Sequence, residues 1–120
     1  MKLLNVKEQA LEKYKSQVKG NRNISTEQAR RKLTRNVALV KETSRNRIKF
    51  TLRGLIYKYG NLHITVRFGT IVDIENHKNY KEHPNNWIFP KRRYIELNKQ
   101  LGIDDCKYTR NKRHQRSKMR

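Results

Sequence analysis

RIKFTLRGLIYKYGNLHITVRFGTIVDIE, residues 47–75, is the only part of the chain in which apolar and polar residues alternate strictly. Ile48, Phe50 and Leu52 fall to one side, with Lys49, Thr51 and Arg53 on the other. Beyond Tyr59-Gly60-Asn61 the pattern resumes, Leu62, Ile64, Val66 and Phe68 being opposed by His63, Thr65 and Arg67. A period of two in β-branched and aromatic residues is the signature of half-buried strands. Gly60 and Asn61 both tolerate positive φ, so a tight hairpin is expected there. Gly69-Thr70 then sets off a third strand, Ile71 to Glu75. The polar side of this meander carries Lys49, Arg53, His63 and Arg67, joined by Tyr57 and Tyr59 if the alternation survives Gly54. That basic face, or the basic helices beside it, is expected to grip nucleic acid.

The flanks read as helices. Asn5 can cap a first helix from Val6 to Lys19, with Val6, Ala10, Leu11, Tyr14 and Val18 on one face and Gly20 as its stop. Ser25 and Gln28 have capping-box spacing and open a second helix, Thr26 to Lys41, whose buried stripe is Ala29, Leu33, Val37 and Val40. Arg30, Arg31 and Arg35 crowd its early turns, where cations oppose the macrodipole, and phosphate contact is the simplest reason to hold them there. A polar loop over 76–90 carries Trp87 and Phe89, which either staple it to the core, anchor a partner or, for Trp87, stack on a base. Pro90 suits the start of a last helix, Lys91 to Leu101, with Tyr94, Leu97 and Leu101 inward and Gly102 ending it. Lys91, Arg92 and Arg93 again load the first turn with charge. The expectation is therefore one α+β domain over 1–103, in the order ααβββα. A basic tail over 104–120 follows, with Arg113 and Arg116 among its seven cations, expected to be disordered until it meets a polyanion.

Composition names the partner class. Lys and Arg number 30 against 10 acidic residues in 120, a formal charge of +20, while only 34% of residues are hydrophobic. So much uncompensated charge over so lean a core self-repels unless a polyanion neutralises it. An anionic membrane surface is disfavoured, because no helix combines a broad apolar face with a Lys-rich one, and no apolar run approaches a membrane span. Met1-Lys2-Leu3-Leu4 is too short for a signal core, and the single Cys106 allows no intrachain disulfide, so a cytoplasmic setting is expected. Plentiful Lys, Asn, Ile and Tyr come from AT-rich codons and hint at a low-GC genome, its phages or its mobile elements.

No catalytic constellation stands out. Asp73, Glu75, His77 and His83 match no metal-ligand spacing, Cys106 has no evident base, and no Gly-rich phosphate loop is present. Neither a cofactor nor catalysis is expected. Leu52 to Gly60, LRGLIYKYG, resembles the LAGLIDADG motif of homing endonucleases and maturases at Leu52, Gly54, Leu55, Ile56 and Gly60. The resemblance implies a helix over Arg47 to Tyr59 where β propensity favours a strand. It also sets Tyr59 at the motif's metal-binding acid, which implies loss of cleavage. A helix, three strands and a helix opened by Lys91-Arg92-Arg93 is similar to the double-stranded RNA-binding domain. Gly60-Asn61-Leu62-His63 likewise resembles its Gly-Pro-x-His hairpin, without the Pro. This likeness implies phosphate contacts from the last helix's basic start.

Three functions follow in order of weight. The first is a non-catalytic protein that binds RNA or DNA through Arg30, Arg31, Arg35, Lys49, Arg53, Tyr57, Arg67, Lys91, Arg92, Arg93 and the tail. The second is an interaction protein acting on a ribonucleoprotein, such as a mobile-element inhibitor of an RNA-guided nuclease or a ribosomal component, with Trp87 and Phe89 as anchors. The third is a small metal-dependent nuclease using Asp73, Glu75 and His77.

Overall fold

The computed structural model of the chain describes residues 2–18, 21–77 and 87–103. The basic tail with Arg113 and Arg116, and the part of the polar loop holding His83, lie outside the described residues. Strand β1 (Asn5–Val6) leads into helix α1 (Glu8–Gln17) and helix α2 (Thr26–Thr43). A short 3-10 turn then enters β2 (Ile48–Thr51), β3 (Gly54–Tyr59), β4 (Leu62–Arg67) and β5 (Thr70–Asn76), before α3 (Lys91–Leu101). The strands form one mixed sheet of order β1-β5-β4-β3-β2, in which β1 runs parallel to β5 and the other pairs are antiparallel.

The expected three-stranded meander in an ααβββα order is therefore corrected to a five-stranded sheet with helices interleaved. Two local events account for the difference. The first is a turn at Leu52-Arg53, which splits a stretch that alternation alone makes continuous. Gly54 closes it at φ 135°, where a Cβ would stand 2.4 Å from the carbonyl oxygen of Val66 and only glycine fits. The same turn excludes the single helix over Arg47 to Tyr59 that the LAGLIDADG resemblance implies. The second event is β1. Asn5, expected to cap a helix, instead donates its amide to Gly69 O at 3.1 Å, and Lys7 donates to Ile71 O at 3.0 Å. A two-residue strand is too short to show periodicity, but it satisfies part of an otherwise bare edge of β5. Farther along that strand Gln17 of α1 takes over, its Oε1 accepting from the Asn76 amide at 3.1 Å.

The helices all serve one face of the sheet. Ala29, Leu33, Val37 and Val40 of α2 are buried against Tyr57, Leu62, Ile64, Ile71 and Ile74, together with Ala10 and Tyr14 of α1. α2 is buried on its back as well, where Leu39 meets Tyr94 and Leu97 of α3. The Ser25 hydroxyl accepts from the Gln28 amide at 3.1 Å as its spacing predicts, and Gly102 ends α3 in the left-handed region. α2 thus sits between the sheet and α3. Among the described residues no helix packs an apolar side chain onto the other face of the sheet.

Candidate nucleic-acid interface

Which side chains reach that open face is decided by three two-residue turns. In a hairpin with a two-residue loop, the residues flanking the loop face each other and share a side, so the parity of the inward positions reverses at every turn. The register shows it: Tyr57 is opposite both Ile48 and Ile64, and Leu55 is opposite Phe50 and Val66. Tyr57 consequently points into the core, only 6% exposed, and burial pushes its hydroxyl pKa up. The assignment of Tyr57 to the polar face is corrected on that ground, and Tyr59 follows it inward to pack on the core. In their place the reversal brings Lys58 and Ile56 to the open face. An irregularity in the β4–β5 pairing then restores Ile74 to the core.

The open face reads in rows across the strands. Lys49, Ile56, Thr65 and Asp73 form one, Lys58, His63 and Glu75 a second, and Arg67 with Thr70 a third. Lys49, Arg53 and Arg67 are exposed on this side, as expected from the sequence. Asp73 is the internal counterweight. Lys13 of α1 reaches it at 2.7 Å and Arg53 stands 3.6 Å away. Burial alone would raise the pKa of Asp73, but the Lys13 hydrogen bond, the Ile74 amide and the two cations outweigh it and hold the carboxyl below its ordinary value. Glu75 lies 3.2 Å from the His77 ring nitrogen. Among the described residues no group of three His, Cys, Asp or Glu could hold a metal ion, so Asp73, Glu75 and His77 do not assemble the nuclease centre of the third reading.

The end of the sheet away from the Gly60-Asn61 turn carries uncovered apolar side chains, Phe50 on the helical side of β2, opposite Leu55, and Leu52 and Phe68 in turns. The Leu52-Arg53 and Phe68-Gly69 turns both lie at the end of the sheet opposite the Gly60-Asn61 turn. Phe50 is 81% exposed, Phe68 is 92% exposed and Leu52 is fully so. Phe68 takes a left-handed φ of 49°, uncommon for a bulky residue, and the Arg67 guanidinium lies 5.4 Å from its ring. Alternation assigns Phe50, Leu52 and Phe68 to the core. The structure leaves them outside because the flanking strands end before any helix can cover them.

The helical candidates have other occupations. Arg30 donates to Leu4 O at 3.0 Å and Arg31 to Gly102 O at 3.1 Å, both beside Glu27. Arg35 is buried, bonded to Asn36 and Asn98 and lying over Tyr94. Arg93 grips Glu42 with two nitrogens at 2.8 and 3.0 Å. Lys91 and Arg92 remain exposed at the start of α3. Trp87 donates from Nε1 to Ser44 Oγ at 2.7 Å and packs edge-on to Tyr59, while Phe89 packs on Tyr94. Both aromatics thus staple their segment to the core. Arg47, which sequence reasoning passed over, clamps the Gly60 turn by donating to Lys58 O and Gly60 O at 2.9 Å each, and burial lowers its pKa.

A family model described as YorE matches residues 4–100 of the chain. A SPbeta prophage-derived uncharacterized protein of Bacillus subtilis (strain 168) is 47% identical over 109 residues, covering 90% of this chain and 89% of its own. No solved structure matches.

Proposed function

The chain belongs to the YorE family, and from that premise we propose that it is a nucleic-acid-binding protein without catalytic chemistry, holding phosphates through the open face of its sheet. The observation that carries this reading is the face itself. No described helix packs an apolar side chain on it, Lys49, Arg53, Lys58 and Arg67 stand on it or at its rim, and the exposed Phe68 lies in a turn at one end. A cationic surface with an aromatic at its edge can hold a backbone by charge and offer a ring to bases or to a widened groove. A chain of charge +20 supplies the long-range attraction. Similarity to a prophage-derived protein supports a phage origin, in which the nucleic acid bound would be that of the phage or its host.

The test is a salt-dependent titration with duplex DNA, single strands and structured RNA. If Lys49, Arg53, Lys58 and Arg67 each neutralise one phosphate, log affinity falls against log salt with a slope of about −3 to −4. Absence of binding to all three at low salt sinks the proposal. Leu52 and Phe68, each exposed in a turn at one end of the sheet, favour a second reading in which that end docks on a ribonucleoprotein. Weak binding to naked nucleic acid and tight binding to the assembled particle would select it.

A further inference from the structure

On the helical side, at the Gly60-Asn61 end of the sheet, lies a cavity of about 460 Å³ bounded by α2, the end of α1 and the Trp87–Tyr94 segment. Its volume is that of a small-molecule site, roughly 300–1,000 Å³. Arg35 lines it and is only 5% exposed. Its Nε donates to Asn36 Oδ1 at 3.0 Å, its Nη1 to Asn98 Oδ1 at 2.9 Å, and the guanidinium lies 4.4 Å from the centre of the Tyr94 ring. All three partners are neutral. Among the described residues no carboxylate pairs with Arg35, and Nη2 makes no hydrogen bond. A guanidinium keeps its charge when buried, and an enclosed charge without an opposite one is strongly unfavourable. Lys32, hydrogen-bonded to Asn21 at 3.2 Å, adds a second cation to the same wall.

We propose that this cavity binds the phosphate of a nucleotide, with Arg35 Nη2 donating to it. The asparagine amides and aromatic edges of the wall would receive the base. The site is separate from the open sheet face and does not depend on it. The phosphate could belong to a free mononucleotide or to the end of a strand, since both present the same monoester dianion.

Trp87 lines the cavity and is the chain's single tryptophan, so its fluorescence reports the site in the intact protein. Adenosine 5′-monophosphate is expected to change the emission saturably, with a midpoint below about 10 mM, and adenosine is not. Arg35→Met should raise the midpoint by roughly tenfold or more, through loss of a charge-assisted bond. Asn98→Asp sets a carboxylate against Nη1, supplies the missing counter-charge internally and should abolish the response, which keeps the test decisive if Arg35→Met fails to fold. A 5′-phosphorylated trinucleotide that outcompetes its 5′-hydroxyl counterpart identifies a strand end, and a response to the mononucleotide alone identifies a free nucleotide. An equal response to adenosine, an unchanged midpoint in both variants, or no response to any phosphate-bearing ligand overturns the proposal. Lys49→Glu/Arg53→Glu/Arg67→Glu should leave the mononucleotide response intact, so this site and the sheet face fail independently.

Discussion

The open sheet face and the helical side contain the same residue types, and the fold treats them differently. Arg53 and Arg67 extend into solvent from a turn and a strand end, Arg53 with Asp73 3.6 Å away and Arg67 beside the Phe68 ring. Arg30, Arg31 and Arg47 instead give their guanidinium nitrogens to main-chain carbonyls of Leu4, Gly102, Lys58 and Gly60. A guanidinium carries five donors in a rigid fork, so it ties distant chain segments together in a way an ammonium does not. On the helical side arginine therefore helps hold a lean core in place. Counting cations on a helix overstates its phosphate contacts; what matters is whether a carbonyl lies within reach.

The largest expected effect tests whether the face depends on the turn that creates it. Gly54→Ala forces a Cβ to within 2.4 Å of Val66 O at a φ of 135°, and should cost about 3 kcal/mol, read by urea unfolding. Gly69→Ala, with no atom within 4 Å and only its φ of 73° to strain it, should cost about 1–2 kcal/mol. Equal losses at the two turns would show that the close approach at Gly54 is not what defines the β2–β3 hairpin.

Charge reversal separates the two regions directly. Lys49→Glu/Arg53→Glu/Arg67→Glu should weaken nucleic-acid binding by about 100-fold or more at low salt and flatten the salt slope by about 3. Lys91→Glu/Arg92→Glu at the start of α3 should change it far less. If the α3 pair carries the larger effect, the phosphate-binding surface belongs to the helices, and the proposed sheet face is wrong. Next in size is the apolar end. Phe50→Ser and Phe68→Ser should each leave stability within about 0.5 kcal/mol, because both rings are already exposed. Phe68→Ser should reduce affinity by about tenfold if its ring stacks on a base, whereas Phe50→Ser, on the helical side of β2, should not.

Much of this architecture was legible from periodicity. The α2 stripe, the inward residues of α3, the hairpin at Gly60 and the exposed Lys49, Arg53 and Arg67 follow from spacing alone. The losses have physical causes. Strict alternation sets Tyr57 on the wrong face because two parity reversals, at Leu52-Arg53 and at Gly60-Asn61, go uncounted; they cancel for β4 and leave only β3 inverted. The signal was Gly54, a glycine inside an apparent strand, which commonly marks a close backbone approach. β1 could not be read because its pairing with Thr70 and Ile71 is set by the bare edge of β5 and not by its own two residues. The burial of Arg35 depends on Asn98, far away in sequence, and no local pattern announces it.

The smallest effect concerns the ion pair that joins α2 to α3. Arg93 hydrogen-bonds Glu42 and, with its charge, holds that carboxyl below the ordinary range against the opposing effect of burial. Both side chains remain more than a third exposed, so solvent screens the pair and Glu42→Gln should cost under about 1 kcal/mol. The sign of the pH dependence follows from the depressed folded value. The contribution is present above the ordinary carboxylate pKa, about 4, and disappears as pH falls through the lower folded pKa. Unfolding curves of the parent and Glu42→Gln should therefore differ at neutral pH and converge in acid, while nucleic-acid affinity is unchanged. A loss of affinity in Glu42→Gln would mean that the Arg93 side of the molecule takes part in binding, and the division between a binding sheet and a supporting helical layer would no longer stand.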